Sequence, residues 1–328
     1  MRKRLNNLFF GIGMIAVVVM FFSFDVSLTE LWEYITKAGY WLAAILGLWC
    51  VLYLMNAWAW RVIIQGGGPC TVGFMQLLKL TVSGFALNYV TPVGLMGGEP
   101  YRIMELTSYV GVERATSSVI LYVMMHIFSH FCFWLSSVLI YVFFYPVGWG
   151  MGIVLGLITL FCLLFVTLFI KGYRNGMAVA CIRLGSHIPF LKKRAVRFAE
   201  LHKEKLETID SQIALLHQQR KSTFYSALGL EYTARIAGRL DVWLILNVLT
   251  TDVSFVGCIL IVAFSSLLAN LLFFLPMQLG GREGGFALAV AGLSLSGAYG
   301  VFAALITRVR EMVWIVIGLV LMKIGNRR

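Results

Sequence analysis

Two stretches of the chain place a proline seven positions before a glutamate, with a glycine pair between them. Pro92 precedes Glu99 in this way, and Pro276 precedes Glu283. The glycine pairs are Gly97 with Gly98 and Gly280 with Gly281. Proline and paired glycine interrupt a helix, and the helix that follows starts with free N–H groups and a positive dipole end. Each stretch therefore predicts a broken helix whose second part can receive an anion.

Arginines accompany both breaks. Arg102 follows Glu99 by one helical turn, and Arg282 stands beside Glu283. Because guanidinium groups bind phosphate through paired hydrogen bonds, these arginines predict a site for a lipid phosphate. The two glutamates leave two interpretations open. They have a structural role as a helix cap or an arginine partner, or they bind a cationic headgroup or a coupling proton, as ionisable groups at membrane depth often do.

Further charged residues interrupt later apolar segments. Glu231, Arg235 and Arg239 recur at a spacing of four, which predicts one polar stripe on a helix that faces the interior of a bundle. Arg308 and Glu311 are three positions apart. They either neutralise each other or contribute to a headgroup site.

Enzyme and metal signals are weak. His126 and His130 are one helical turn apart, but the sequence offers no third ligand, which favours a polar contact between helices over a metal site. Glycines 66–68 lack the Lys and Ser/Thr of a phosphate-binding loop. No nucleophile stands with a general base at a recognisable spacing. We therefore expect no cofactor, no metal and no enzymatic activity.

The elements that carry these residues are those of a membrane protein. Of 328 residues, 60% are hydrophobic and 13% charged, with a mean hydropathy of +0.85; soluble domains carry about 25% charged residues. Such a chain needs lipid as its solvent, and its long apolar runs must be helices that satisfy their own backbone. The net charge of +12 comes from lysines and arginines in loops and at helix ends. This distribution favours anionic lipid headgroups over nucleic acid as the partner.

The hydropathy pattern predicts an all-α polytopic protein with about six transmembrane helices, at 5–24, 40–64, 116–145, 150–170, 224–249 and 298–322. Two pairs of segments, 72–90 with 99–110 and 255–275 with 286–295, are too short or too polar to be ordinary spans. The loop 171–221 has eleven Lys/Arg against four acidic residues, which places it and both termini in the cytoplasm.

With this topology, each of these two pairs of short segments must enter and leave the membrane on the same side. They are then re-entrant helical hairpins of opposite orientation, and the single domain 1–328 contains an inverted repeat, about 40–145 and about 224–322. Secondary transporters commonly have this architecture, with broken helices holding substrate near the bilayer midplane.

The motif from Thr91 to Arg102, the motif from Leu275 to Gly284, and the later stretch from Leu305 to Glu311 together resemble the lysylphosphatidylglycerol synthase transmembrane region, also called the flippase-like domain family. The resemblance covers nearly the whole chain and implies a lipid flippase module. The best-known members move aminoacylated phosphatidylglycerol to the outer leaflet and carry a fused synthase domain, which we do not expect here because the sequence ends at Arg328. Many relatives have Glu-Arg where this sequence has Tyr122, so the headgroup is not assumed to be the same.

These observations predict a flippase of a bacterial inner membrane that moves a phospholipid-like lipid, either aminoacylated or otherwise modified at its headgroup. The alternative is a membrane subunit that presents a lipid to a separate transferase; a homodimer is a further possible assembly. The predicted substrate-binding residues are Gly97, Gly98, Glu99, Arg102, Gly280, Gly281, Arg282, Glu283, Arg308, Glu231 and Arg235.

Overall fold

The computed structural model describes residues 10, 11, 14, 28–90, 97–175, 197, 204, 207, 210, 211, 221–250, 252–271 and 281–324. Most of the predicted first span, most of the basic loop, Pro92, Pro276 and Gly280 lie outside this set, as does the side chain of Arg282. Within the described ranges the regular secondary structure is helical and contains no strand. The predicted all-helical fold is therefore confirmed for this part of the chain.

The helices are α1 (Leu28–Ala38), α2 (Tyr40–Gly66), α3 (Phe74–Val90), α4 (Gly98–Val110), α5 (Val112–Phe144), α6 (Trp149–Asn175), α7 (Lys221–Ala237), α8 (Leu240–Leu246), α9 (Phe255–Leu271), α10 (Gly281–Ala291) and α11 (Gly297–Lys323). Three regions of the described chain are long and apolar enough to cross a membrane: α2, α5 and the part of α6 from Trp149 to Lys171. About 20 helical residues span the hydrocarbon core. These three agree with the predicted spans 40–64, 116–145 and 150–170.

Two predicted boundaries are wrong. The predicted span 224–249 is divided, because α7 ends at Ala237 and α8 begins only at Leu240. Gly238 lies in the intervening turn, where a methyl group in place of its hydrogen would lie 3.3 Å from the Leu52 side chain of α2. The glycine therefore allows α2 to approach the turn closely.

The second short segment, predicted at 286–295, is instead α10 at Gly281–Ala291. Its glycines are helical rather than part of a break. Gly285 faces α9, and an added methyl group there would lie 3.4 Å from the Ser265 Cα. Small residues at this position let two helix backbones pack closely, as is common between membrane helices.

The described chain contains two groups of three helices in the same order. The first triad is α3–α4–α5 and the second triad is α9–α10–α11. Their helices have 17 and 17, 13 and 11, and 33 and 27 residues. Gly111 connects α4 to α5 with a φ of 82°, a left-handed conformation that favours glycine. Gly297 begins α11 at the equivalent place.

Within each triad, the short helix is antiparallel to both of its neighbours. In the first triad, Thr71 just before α3 donates to the Tyr109 carbonyl at 3.0 Å, while Arg102 donates to the Thr81 carbonyl at 3.1 Å. In the second triad, Gly257 faces Leu293 and Gly285 faces Ser265. The third helix returns along the short one, since Arg102 lies over Tyr122 and Glu283 contacts Arg308. The first and third helices of each triad are consequently parallel.

The two triads pack against each other through their first and third helices. Helix α3 is antiparallel to α11: Ser83 Oγ donates to the Gly318 carbonyl at 2.9 Å, and Tyr89 donates to Glu311 at 3.2 Å. Helix α9 is antiparallel to α5: Trp134 Nε1 donates to Ser266 Oγ at 3.1 Å, and Gly257 faces the hydroxyl of Tyr145 just after α5. The first helix of each triad thus lies against the last helix of the other.

Helix α6 lies at the edge of the bundle. It packs on α5 through stacked rings, with Phe131 and Phe165 centred 4.0 Å apart and Phe128 and Phe169 4.3 Å apart. Only 17% of its apolar 18-residue stretch within Trp149–Lys171 is buried. An apolar helix with this much exposed surface is suited to contact with lipid.

Candidate functional site

The polar residues singled out in the sequence fall into separate buried groups. Glu99 lies with Arg102, Glu283 with Arg308, and Glu231 with Arg235 in one stripe on α7. Among the described residues, no hydrogen bond or ion pair joins one of these three groups to another. The predicted substrate residues that the structure describes therefore do not form one continuous polar cluster.

Asn88 near the end of α3 positions Glu99 in the first turn of α4. The Asn88 side-chain oxygen accepts a hydrogen bond from the Gly98 N–H at 2.7 Å, and its amide nitrogen donates to Glu99 Oε1 at 2.9 Å. A first-turn N–H has no partner inside its own helix, so this contact satisfies a group that the break leaves free. No local sequence pattern predicts this role of Asn88.

Arg102 is enclosed rather than projecting into open space. It is 2% exposed, and its guanidinium lies over the rings of Trp60 and Tyr122, 5.9 and 5.4 Å from their centroids. Its Nη1 donates to Glu99 Oε1 at 3.4 Å. A methyl group on Gly84 would overlap the Arg102 side chain. The glycine thus provides the space in which the arginine neutralises the glutamate.

In the second triad, the partner of the glutamate comes from a different helix. Glu283 in the first turn of α10 accepts a hydrogen bond from Nε of Arg308, which lies on α11 and is 4% exposed. Arg308 is thus paired with Glu283, while Glu311 pairs with its neighbour Arg310 at 2.9 Å. Of the two interpretations left open for Arg308 and Glu311, mutual neutralisation is not the arrangement that these contacts describe.

The arginine that pairs with the glutamate therefore comes from different helices in the two triads. It lies on the short helix α4 in the first triad and on the long helix α11 in the second. Tyr122 and Arg308 each lie eleven positions beyond the glycine before the long helix (111 to 122 and 297 to 308). Where the first triad has Arg102 three positions after its glutamate, the second has Phe286. Counting from Gly111 and from Gly297 would have revealed this difference in the sequence.

Each glutamate retains an oxygen for a further partner. Glu99 Oε2 and Glu283 Oε2 are buried and accept no hydrogen bond within the described part of the chain. Arg102 Nε and Arg308 Nη2 likewise have no acceptor there. An unsatisfied buried polar atom costs about 1–3 kcal/mol. Both ion pairs therefore have the capacity to bind a polar group through an acceptor and a donor.

The stripe on α7 faces the bundle interior, as predicted. Glu231 is 2% exposed and its Oε2 contacts His126 Nδ1 of α5 at 2.8 Å. Arg235 donates to Ser129 and to His130, and to the His126 carbonyl at 3.0 Å. The prediction that the two histidines make polar contacts between helices is confirmed. The described residues contain no group of three or more His, Cys, Asp or Glu arranged for a metal ion.

A further buried network was missed in the sequence. Arg310 pairs with Asp241 of α8 and with Glu311, and its guanidinium lies 3.9 Å from the ring centroid of Trp49. Trp49 Nε1 also donates to Asp241 at 3.2 Å. A small cleft, with room for about one water molecule, lies alongside and is lined by rings of α2 and by α3 and α11. No sequence spacing indicated this network, because its partners are far apart in the chain.

Long apolar helices that enclose buried ion pairs define the protein as a multi-pass helical membrane protein. The chain belongs to the family of the lysylphosphatidylglycerol synthase TM region, whose profile matches residues 8–319. The resemblance noted in the sequence is thereby confirmed, and a lipid-related function in the membrane follows from it. No curated protein and no solved structure matches the chain.

Proposed function

We propose that the protein is a lipid flippase, which moves a phospholipid-like lipid between the two leaflets without changing it chemically. The observation that carries this proposal is the pair of helix triads. Each triad places one partly buried glutamate in the first turn of a short helix, and each glutamate keeps a buried oxygen that accepts no hydrogen bond in the described chain.

The directions of the helices support an inverted repeat. The first and third helices of each triad are parallel, while α3 is antiparallel to α11 and α9 is antiparallel to α5. One triad therefore runs opposite to the other. If α3–α4 and α9–α10 are re-entrant hairpins, they enter from opposite faces of the membrane, and rocking of one half against the other exposes a shared site alternately.

The headgroup would lie between the two glutamates. Glu99 and Glu283 would accept hydrogen bonds from hydroxyl or ammonium groups, and the unused guanidinium N–H groups of Arg102 and Arg308 would donate to phosphate. Arg282 and the backbone N–H groups of the glycine pairs would contribute at the helix starts. Glu231 and Arg235 would adjoin the site through α5. The acyl chains would remain in the bilayer throughout.

The proposed setting is a bacterial inner membrane with cytoplasmic termini. The basic loop 171–221 would then lie against anionic headgroups of the cytoplasmic leaflet, where each Lys or Arg contributes about 1 kcal/mol of attraction.

The family's description, which is that of the membrane part of a synthase, favours one alternative function. In that case the protein would present a lipid to a separate transferase. The alternative predicts that a transferase copurifies with the protein from mild detergent and that the purified protein alone moves no lipid.

A fluorescence assay in proteoliposomes tests the proposal. Lipids with NBD-labelled acyl chains and headgroups of phosphatidylglycerol, phosphatidylethanolamine or aminoacylated phosphatidylglycerol are reconstituted with the purified protein. Dithionite, which does not cross the bilayer, quenches only outer-leaflet label. The proposal predicts that the protein renders inner-leaflet label of at least one lipid accessible. Quenching equal to that of protein-free vesicles for every lipid would contradict it.

A further inference from the structure

We propose that the pair of His126 and Glu231 binds the proton whose movement drives lipid translocation; this inference rests on the proposed function. The pair joins α5 to α7 through a contact of 2.8 Å between His126 Nδ1 and Glu231 Oε2. The Glu231 side chain is 1% exposed and that of His126 is 27% exposed. Glu231 is thus enclosed, while His126 is partly exposed.

The nature of the partners distinguishes this pair from the glutamates of the two triads. Glu99 and Glu283 are paired with Arg102 and Arg308, and guanidinium groups stay charged at every physiological pH. The two arginines therefore keep their charge during transport and continue to neutralise the glutamates. Glu231 faces an imidazole instead, the side chain that gains and loses a proton between about pH 5 and 8.

The second oxygen of Glu231 strengthens this assignment. Glu231 Oε1 is buried and accepts no hydrogen bond within the described residues. Arg235, one turn further on, directs its guanidinium at Ser129 and His130. The carboxylate thus depends on His126 for its polar contact. Buried histidine and glutamate in membrane helices are the residue types of which proton relays are made.

The other titratable or charged groups around the pair come from several helices. They are Tyr122, His130 and Cys132 on α5, Arg235 on α7 with Arg239 just after it, and Glu99 and Arg102 on α4. On α2, which also packs against α7, Arg61 lies instead over the ring of Phe74 at 6.0 Å. Helix α9 contributes no charged residue.

Tyr122 lies between this pair and the ion pair of Arg102 and Glu99. Its ring is centred 6.5 Å from that of His126, and the guanidinium carbon of Arg102 lies 5.4 Å from the same ring. Arg102 in turn pairs with Glu99. A positive charge that appears on His126 is therefore close enough to act on the Arg102–Glu99 pair, since charges interact strongly in a medium of low dielectric constant.

The proton step is balanced without any other reactant. A proton from water on one side adds to the neutral imidazole of His126 and gives an imidazolium–carboxylate pair with Glu231. Loss of that proton to water on the other side restores the neutral imidazole. One proton then crosses the membrane for each lipid that moves.

The test imposes a pH difference across proteoliposomes that contain the wild-type protein and the NBD-labelled lipids. For one proton per lipid, the ratio of label between the leaflets shifts about tenfold for each unit of pH difference. His126→Gln and Glu231→Gln each abolish this shift. Tyr232→Phe is the matched control, because it removes a hydrogen bond of 2.7 Å to Ser136 in the same α5–α7 contact and retains the shift.

The possible outcomes separate the two proposals. Wild-type protein that moves lipid to an equal distribution whatever the pH difference overturns the proton assignment and leaves the flippase function intact. A shift that persists in both variants also overturns it, since the proton then binds elsewhere. If no labelled lipid moves at all, the proposed function fails and the proton assignment fails with it. Should one variant not accumulate in the membrane, the other decides.

Discussion

Tyr122 and Arg308 stand at equivalent positions of the two triads, yet only Arg308 pairs with the glutamate of its own triad. In the first triad the arginine is instead Arg102 of the short helix, and its guanidinium lies over the ring of Tyr122. Both triads thus neutralise a first-turn glutamate with one arginine, but from different helices. The two halves resemble each other in charge without having the same residues at each position.

This difference predicts that the arginine can be moved to the long helix. Arg102→Phe alone leaves Glu99 without its ion pair and costs about 3–5 kcal/mol of stability. Adding Tyr122→Arg gives the first triad the arrangement of the second and recovers a large part of that loss. Thermal unfolding of the purified single and double variants in detergent measures the recovery. A double variant no more stable than Arg102→Phe would contradict the equivalence of the two positions.

Close packing at Gly84 gives a second prediction. Because an added methyl group would overlap the Arg102 side chain, Gly84→Ala lowers the free energy of unfolding by about 1–3 kcal/mol. Gly284→Ala is the control, since nothing lies within 4 Å of its added methyl group and alanine favours a helix. The two melting temperatures should move in opposite directions or differ clearly. Equal effects would show that Gly84 does not provide the space for the arginine.

The network around Arg310 gives a third prediction. Its removal in Arg310→Ala leaves Asp241 buried without its guanidinium partner and destabilises the protein by about 3–5 kcal/mol. Combining it with Asp241→Asn removes the uncompensated charge, so the double variant loses less than the sum of the single variants. Arg61→Ala, which removes an arginine that lies over a half-buried ring, is the control with a small effect. Additive losses would argue against a direct pair.

The opposite orientation of the triads gives a fourth prediction. The turn between α4 and α5 and the turn between α10 and α11 would face opposite sides of the membrane. Val112→Cys and Ser294→Cys, introduced singly into a cysteine-free background, report this through a maleimide that does not cross membranes. In intact cells only Ser294→Cys reacts, whereas both react after lysis. Reaction of both cysteines from outside would rule out the inverted repeat.

Much of the helical framework could be predicted from local sequence. The long apolar runs gave helices α2, α5 and α6, because hydrophobic length is a property of neighbouring residues. The division at Gly238 was missed because it depends on the approach of Leu52 from a distant helix. The extent of α10 was missed for a similar reason, since Gly284 and Gly285 suggest a break unless the packing of Gly285 on Ser265 is known.

The sequence predicted which residues belong to the site better than it predicted which residues they contact. Glu99, Glu283 and Glu231 stand out as charges in apolar surroundings, and all three belong to buried polar contacts. Which group each contacts depends on helices that meet only in the fold. Asn88 and Asp241 carry no local signal, and His126 becomes informative only when its contact with Glu231 is known.

The central claim is that the two triad glutamates bind a lipid headgroup during its passage between leaflets. The most direct test compares Glu99→Gln and Glu283→Gln, singly and together, in the dithionite assay with the lipid that the wild-type protein moves. Glu113→Gln, an exposed glutamate in the first turn of α5, is the matched control. We expect each triad variant to slow movement at least tenfold, which corresponds to about 1.4 kcal/mol of lost interaction, while the control keeps the wild-type rate. A wild-type rate in the double variant would contradict the claim.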